Sequence, residues 1–199
     1  MDSTLISQRL LLRPLREDDR DDFFAINSDP LVCEHLPSTL SRAESDALMD
    51  RICAHFAEHG FGLWAVEIPG ERSFAGCVGL ARPTWTAAFT PCVEIGWRLA
   101  PATWGRGIAT EAARVALAYG FTKLCLGEIY ACTVPANVRS LRVMQRIGLR
   151  PDFRYSTDGT FEHPRLPEGH PLRRHVLYSI TQAAWAKQSP SPEFSDGNP

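Results

Sequence analysis

The sequence predicts an α/β fold, and three stretches carry that prediction. Val93 to Leu99 alternates apolar and polar residues, the period of a strand with one buried face. Pro101 breaks that run. Trp104-Gly105-Arg106-Gly107-Ile108-Ala109-Thr110-Glu111 then leads into an alanine-rich helical pattern that continues to about Tyr119. Ile129 to Val134 reads as another strand, followed at Asn137 by a second short helix. Strand, glycine turn, helix, strand, helix is the skeleton on which the rest is placed.

The central turn has a chemical consequence. A glycine-rich turn between a strand and a helix leaves several backbone N–H groups without intrahelical partners. They point the same way, at the positive end of the helix dipole. Such a site favours a phosphate or pyrophosphate.

Size and composition set the outer bounds. With 199 residues the chain has the length for one domain, expected over residues 1–186 with a substantial core. From Lys187 onward Ser, Pro, Asp, Gly and Asn dominate, so 187–199 is expected to be a disordered tail. A hydrophobic fraction of 44% and a charged fraction of 22% are those of a soluble globular protein. The net charge of −2 argues against wholesale nucleic-acid binding. No apolar run approaches the roughly 18–20 residues of a membrane span. The N-terminus lacks a basic region followed by an apolar one, so a cytoplasmic protein is expected. The six cysteines form no C-x-x-C pair. Cys77, Cys92, Cys125 and Cys132 sit among apolar neighbours and are expected to be reduced, buried thiols rather than disulfides or metal ligands.

In chain order, Arg9 to Leu15 reads as a first strand ended by Pro14-Leu15. Glu17, Asp18 and Asp19 place negative charge in a helix's first turn and are expected to be a solvated face. Phe23, Phe24 and Ile26 give that helix an apolar side before Asp29-Pro30 stops it. Ser41 with Glu44 fits a capping box, Leu48, Ile52 and Phe56 follow at helical spacing, and Gly60 stands where a C-terminal glycine belongs. His55 and His59 share that helix's face, but they lack the third ligand a metal would need.

Phe61 to Ile68 and Phe74 to Leu80 form a hairpin pattern around Pro69-Gly70-Glu71-Arg72. Trp85 and Phe89 in the following loop are expected to cover a core edge rather than line a substrate pocket. Arg150 to Tyr155 reads as a strand, and Arg174 to Ile180 as the last one. Between them Ser156 to Pro171 is crowded with Gly, Pro, Asp and His, a long connection that fits a lid or specificity loop.

Two familiar phosphate motifs are missing: there is no G-x-x-x-x-G-K-[ST] and no complete G-x-G-x-x-G dinucleotide fingerprint. What is present is Glu94-Ile95-Gly96-Trp97, then Trp104 to Ala113, then Asn137-Val138-Arg139-Ser140, and finally Arg146-Ile147-Gly148-Leu149. Together these resemble the GNAT superfamily of acyl-CoA-dependent N-acetyltransferases. More narrowly they resemble the branch related to the RimJ and RimL ribosomal-protein N-acetyltransferases, whose usual opening is matched by Arg9 to Leu15. The resemblance covers about residues 8 to 181.

It implies a mixed sheet, flanked by helices, that splays open between the strands near 93–99 and 128–134. It also implies acetyl-CoA as cosubstrate and no metal. Pantetheine would bond the main chain around Trp97, Arg98 and Leu99. The pyrophosphate would rest on the turn formed by Trp104, Gly105, Arg106, Gly107, Ile108, Ala109 and Thr110. A Cβ at Gly105 or Gly107 would hold the backbone away from phosphate oxygen, or demand a disfavoured dihedral. Asn137 and Ser140 match positions beside the thiol end and the pantetheine arm. Trp104 replaces the superfamily's usual Gln or Arg at the head of the loop, a change the amide cradle tolerates. Met144 stands where many relatives carry a tyrosine that protonates the departing thiolate.

The implied activity is transfer of an acetyl group to a primary amine by direct attack, the acceptor being a protein α-amine or a small molecule. The alternative is a catalytically silent acyl-CoA-binding or interaction module of the same fold, and the enzyme is expected as a monomer or homodimer. Glu94 is either the general base or half of a structural ion pair with Arg98. Ser140 either donates to the thiolate or merely hydrogen-bonds the cofactor or the backbone. Arg139, Arg142 and Arg146 recur on one helix face, where they meet the 3′-phosphate of CoA or simply face solvent. His163, His170 and His175 flank the long loop and lack a zinc-ligand pattern.

Overall fold

The computed structural model describes residues 4–188. Most of the expected tail, 189–199, lies outside the described residues. Nine strands form one mixed sheet. They are β1 (Leu5–Ile6), β2 (Leu11–Arg13), β3 (Leu63–Glu67), β4 (Gly76–Ala81), β5 (Glu94–Leu99), β6 (Glu128–Thr133), β7 (Arg150–Pro151), β8 (Thr160–Glu162) and β9 (Arg174–Thr181). Their order is β1-β2-β3-β4-β5-β6-β9-β7, with β8 pairing β9 from the side. The helices are α1 (Arg20–Ser28), α2 (Arg42–His59), α3 (Ile108–Thr122), α4 (Val138–Arg146) and α5 (Gln182–Ala186).

Strand alternation sorts side chains between the two faces of the sheet. Trp64, Val66, Val78, Ile95, Leu99 and Ile129 pack with Ile108, Ala112, Ala116 and Leu117 of α3. The small alanines let that helix lie close to the strands. On the opposite face Ala65 and Cys77 pack with Phe23 and Ile26 of α1 and with Met49 and Ile52 of α2. Helix α2 is closed at both ends as its sequence demands. Ser41 and Glu44 complete the capping box, and Gly60 caps the C-terminus in the left-handed region at φ 73°.

The sheet opens at one place. β4 and β5 pair along their whole length, from Gly76 opposite Leu99 to Ala81 opposite Glu94. β6 and β9 pair from Glu128 opposite Thr181 to Thr133 opposite Val176. The parallel neighbours β5 and β6 meet at a single register pair, Glu94 with Tyr130, beside a 3.0 Å bond from Tyr130 N–H to Val93 C=O. Beyond that point the two strands part. This is the open mixed sheet, flanked by helices, that the motifs implied.

Several expectations need correction. The acidic run is not wholly solvated: Asp19 is buried, and both its carboxylate oxygens accept 2.8 Å bonds from Arg13. The expected strand from Arg150 to Tyr155 is only the two residues of β7, because the chain leaves the sheet edge after Asp152, whose N–H still donates to Leu177 C=O and whose carboxylate accepts from Arg154. Part of the 156–171 connection joins the sheet, since β8 within it forms a ladder with β9. Cys125 is exposed rather than packed among apolar neighbours, lying in the turn after α3 with φ 52°. Phe89 does cover a core edge, buried with Tyr130 and Leu177 beneath Trp85 and Phe161.

Candidate active site

The site is built where the sheet parts. Gly105 and Gly107 hold φ values of +73° and +81°, which L side chains rarely adopt, and Gly107 is the N-cap of α3. Among the described residues, none of the backbone N–H groups of residues 105 to 110 meets a protein acceptor at hydrogen-bond geometry. These free donors lie at the positive end of a 15-residue helix. Trp104 fixes the approach to the turn, its indole N–H donating 2.9 Å to Leu99 C=O.

A cavity of about 380 Å³ runs from this turn into the splay. Trp97, Arg98, Leu99, Trp104, Gly105, Gly107, Ile108, Ala109, Thr110, Asn137 and Ser140 all line it, so most of the expected cofactor set is brought together. Arg106 is not among the lining residues, because its guanidinium turns away to Glu71 at 2.5 Å. The lining holds Arg98, Arg139, Arg142 and Arg146 and no carboxylate, so the cavity is strongly cationic. Arg139 sits over the Trp104 ring at 4.6 Å and reaches Glu34 at 3.6 Å. A free diphosphate-sized donor cradle with guanidinium groups on its far wall fits the charged half of CoA.

Asn137 is the N-cap of α4. Its side-chain carbonyl accepts from Ser140 N–H at 3.1 Å, and its amide donates to Thr133 Oγ1 at 3.1 Å. It thereby ties α4 to the end of β6 and aims the first turn at the cavity. The Ser140 hydroxyl makes no hydrogen bond among the described residues and remains available to a ligand. Met144 is 1% exposed and packed in the core, so that position supplies no proton to the cavity.

Glu94 stands at the apex, on the single register pair that joins the parted strands. It does not line the cavity, and it does not pair with Arg98. The expected ion pair fails because Arg98 reaches instead to the Asn27 side-chain carbonyl on α1. The partner Glu94 does have lies across the splay: the Cys132 thiol donates to its Oε1 at 3.5 Å. Burial pushes the carboxyl up to about 7, against smaller downward pulls from Cys132 and from the Arg165 charge. Sequence reasoning placed Cys132 only as a buried thiol and not at the site, although the period-two register of β6 puts it on Glu94's face. Leu31, Val32, His35 and Leu36, which close the cavity from the α1–α2 connection, were also missed. That segment carries no periodicity that would mark it.

The three histidines separate. His163 and His175 lie together, ring centroids 4.8 Å apart, with His163 beside Trp85 at 4.8 Å, whereas His170 bonds its own turn. Burial drives His163 down to about 4, helped by His175 and Arg165, so that ring is neutral at physiological pH. His55 is also held neutral by burial, its ring bonded to Phe61 C=O and Arg82 N–H. Among the described residues no group of three His, Cys, Asp or Glu is placed to hold a metal ion, and no helix is long and apolar enough to cross a membrane.

Comparison with known proteins agrees with this geometry. The family model described as an acetyltransferase (GNAT) domain matches residues 9–150. The chain is 32% identical over 197 residues to the FsC-acetyl coenzyme A-N(2)-transacetylase of Aspergillus fumigatus, covering 94% of this chain and 80% of that protein. It is 31% identical to the spermidine N(1)-acetyltransferase of Escherichia coli K12, covering 91% and 90%. An acetyltransferase of the GNAT family from Bacillus anthracis superposes with a TM-score of 0.73 at 25% identity, covering 90% of this chain and 99% of that one. The parted sheet, the free amide turn and these matches lead to one conclusion: this chain belongs to the GNAT family of acetyltransferases.

Proposed function

We propose that the protein transfers an acetyl group from acetyl-CoA to a primary amine by direct attack, with Glu94 as the general base. The observation that carries this is a carboxyl at the apex of the splay whose affinity for a proton is raised to about 7. A base of that strength is half deprotonated at neutral pH and can take the proton that an attacking ammonium must lose. Acetyl-CoA supplies the activated acyl group; the turn from Gly105 to Thr110 holds its diphosphate, and Arg139, Arg142 and Arg146 offset the remaining phosphate charge. Ser140, on the first turn of α4, is the hydroxyl positioned to donate a proton to the leaving sulfur. The acceptor is an amine of a small molecule, as the name of the Escherichia coli spermidine N(1)-acetyltransferase indicates for that protein, or a protein N-terminus, as the RimJ and RimL resemblance implies. A cytoplasmic setting fits the six free thiols.

A second reading is a module that binds acyl-CoA without transferring it, and the buried Met144 at the tyrosine position favours it. The two separate in one experiment: release of free CoA thiol from acetyl-CoA, followed across N-terminal peptides and small amines. Amine-dependent release establishes transfer. Tight CoA binding with no release across the whole panel establishes the silent module.

A further inference from the structure

Among the described residues, Arg98 is a cation without a counter-ion. Its guanidinium offers five N–H donors, yet among the described residues it makes one hydrogen bond, to the neutral side chain of Asn27. Among the described residues no carboxylate pairs with it. Burial works against its charge, and the groups that favour it are the thiols of Cys33 and Cys77. A half-buried, uncompensated charge is costly unless something completes it.

The face on which Arg98 lies identifies what would. Leu99, its neighbour on β5, packs against α3 and the cradle turn. Arg98 points the other way, to α1, where Leu31, Val32, His35 and Leu36 of the α1–α2 connection close the cavity. The diphosphate has its own donors in the turn and in α4. Glu94 shares the α1 side of β5 with Arg98, by strand alternation. We propose that Arg98 receives a carboxylate or phosphate carried by the acceptor itself, so that the substrate is an amine that also bears an anionic group. This rests on the acetyl-transfer reading with Glu94 as base. Four residues of strand separate the two Cα atoms by about 13 Å, so the anion stands several bonds from the nitrogen. The second ammonium of a diamine would find no carboxylate among the residues that line the cavity.

The test compares straight-chain ω-amino acids of about four to six carbons with their carboxamides and with diamines of matching length. Wild type is expected to favour the carboxylate member by about tenfold or more in kcat/KM. Arg98→Gln should erase that preference. Arg98→Lys should restore part of it. Equal or better use of carboxamides or diamines by wild type would overturn the proposal. So would an Arg98→Gln enzyme that loses affinity for acetyl-CoA but keeps its acceptor preference, which would assign the guanidinium to the cofactor. Calorimetric titration of the same ω-amino acids into the CoA-loaded protein reads without turnover. Carboxylate binding that is lost in Arg98→Gln supports the anion site even where no amine is acetylated and the transfer reading fails. Equal binding by both proteins overturns it.

Discussion

Replacing Glu94 with Gln should cost activity and gain stability, and the two effects share one cause. Burial raises the carboxyl from 4.5 to about 7 in the folded protein. Between those values the folded state holds a proton that the unfolded state has released, so stability falls as pH rises from about 4.5 to about 7 and then stays level. At 1.36 kcal/mol for each pKa unit, the ionised form costs the fold about 3 kcal/mol above pH 7 and nothing below about pH 4.5. Glutamine keeps the size and can still accept from Cys132, and it has no charge to bury. Glu94→Gln should therefore melt several degrees above wild type at pH 8, and with it at pH 4.5, since about 1 kcal/mol moves a domain of this size by roughly 2–4 °C. Activity should move oppositely, falling by roughly 10²–10⁴-fold at pH 8. Because the acceptor ionises equally with both enzymes, the clean readout is the ratio of wild-type to variant kcat/KM. About one-tenth of Glu94 is ionised at pH 6 and about nine-tenths at pH 8, so that ratio should rise about tenfold between them. A flat ratio, or a variant less stable than wild type at pH 8, would refute the reasoning.

Other outcomes follow from the same geometry. Gly107→Ala should raise KM for acetyl-CoA and lose roughly 1–2 kcal/mol in denaturant unfolding, because its φ of +81° penalises a Cβ. Gly127→Ala, where an added Cβ meets open space and φ is ordinary, should do neither. Ser140→Ala should lower kcat about tenfold or more with little change in KM for acetyl-CoA; a raised KM at constant kcat would reduce the hydroxyl to a cofactor contact. Asp19→Ala removes two 2.8 Å charge-assisted bonds from the buried Arg13, leaves it Glu67 as its remaining carboxylate partner, and should cost roughly 1.5–3 kcal/mol by denaturant titration.

The parts of this molecule legible in sequence are those that local rules determine. The capping box at Ser41, the αL glycine at Gly60, the β5 alternation and the turn at Gly105 each depend on neighbours within a few positions. What stayed hidden depends on tertiary pairing. Asp19 looks like any acidic first-turn residue until Arg13, six positions away on another element, reaches it. Glu94 and Arg98 share a strand face and look like partners, but α1 offers Asn27 to one and β6 offers Cys132 to the other. The loop residues Leu31, Val32, His35 and Leu36 acquire a role only because the chain between α1 and α2 folds back over β5. β8 has three residues and exists because β9 offers it an edge.

The central claim is that the free amides of residues 105–110 hold a diphosphate while the gap between β5 and β6 holds the arm that carries the acyl group. Its most direct test is a crystal structure of the protein with CoA. The account predicts pyrophosphate oxygens within hydrogen-bond distance of the Gly105–Thr110 amides and the sulfur inside the splay near Ser140. CoA bound elsewhere, with that turn facing only solvent, would contradict it.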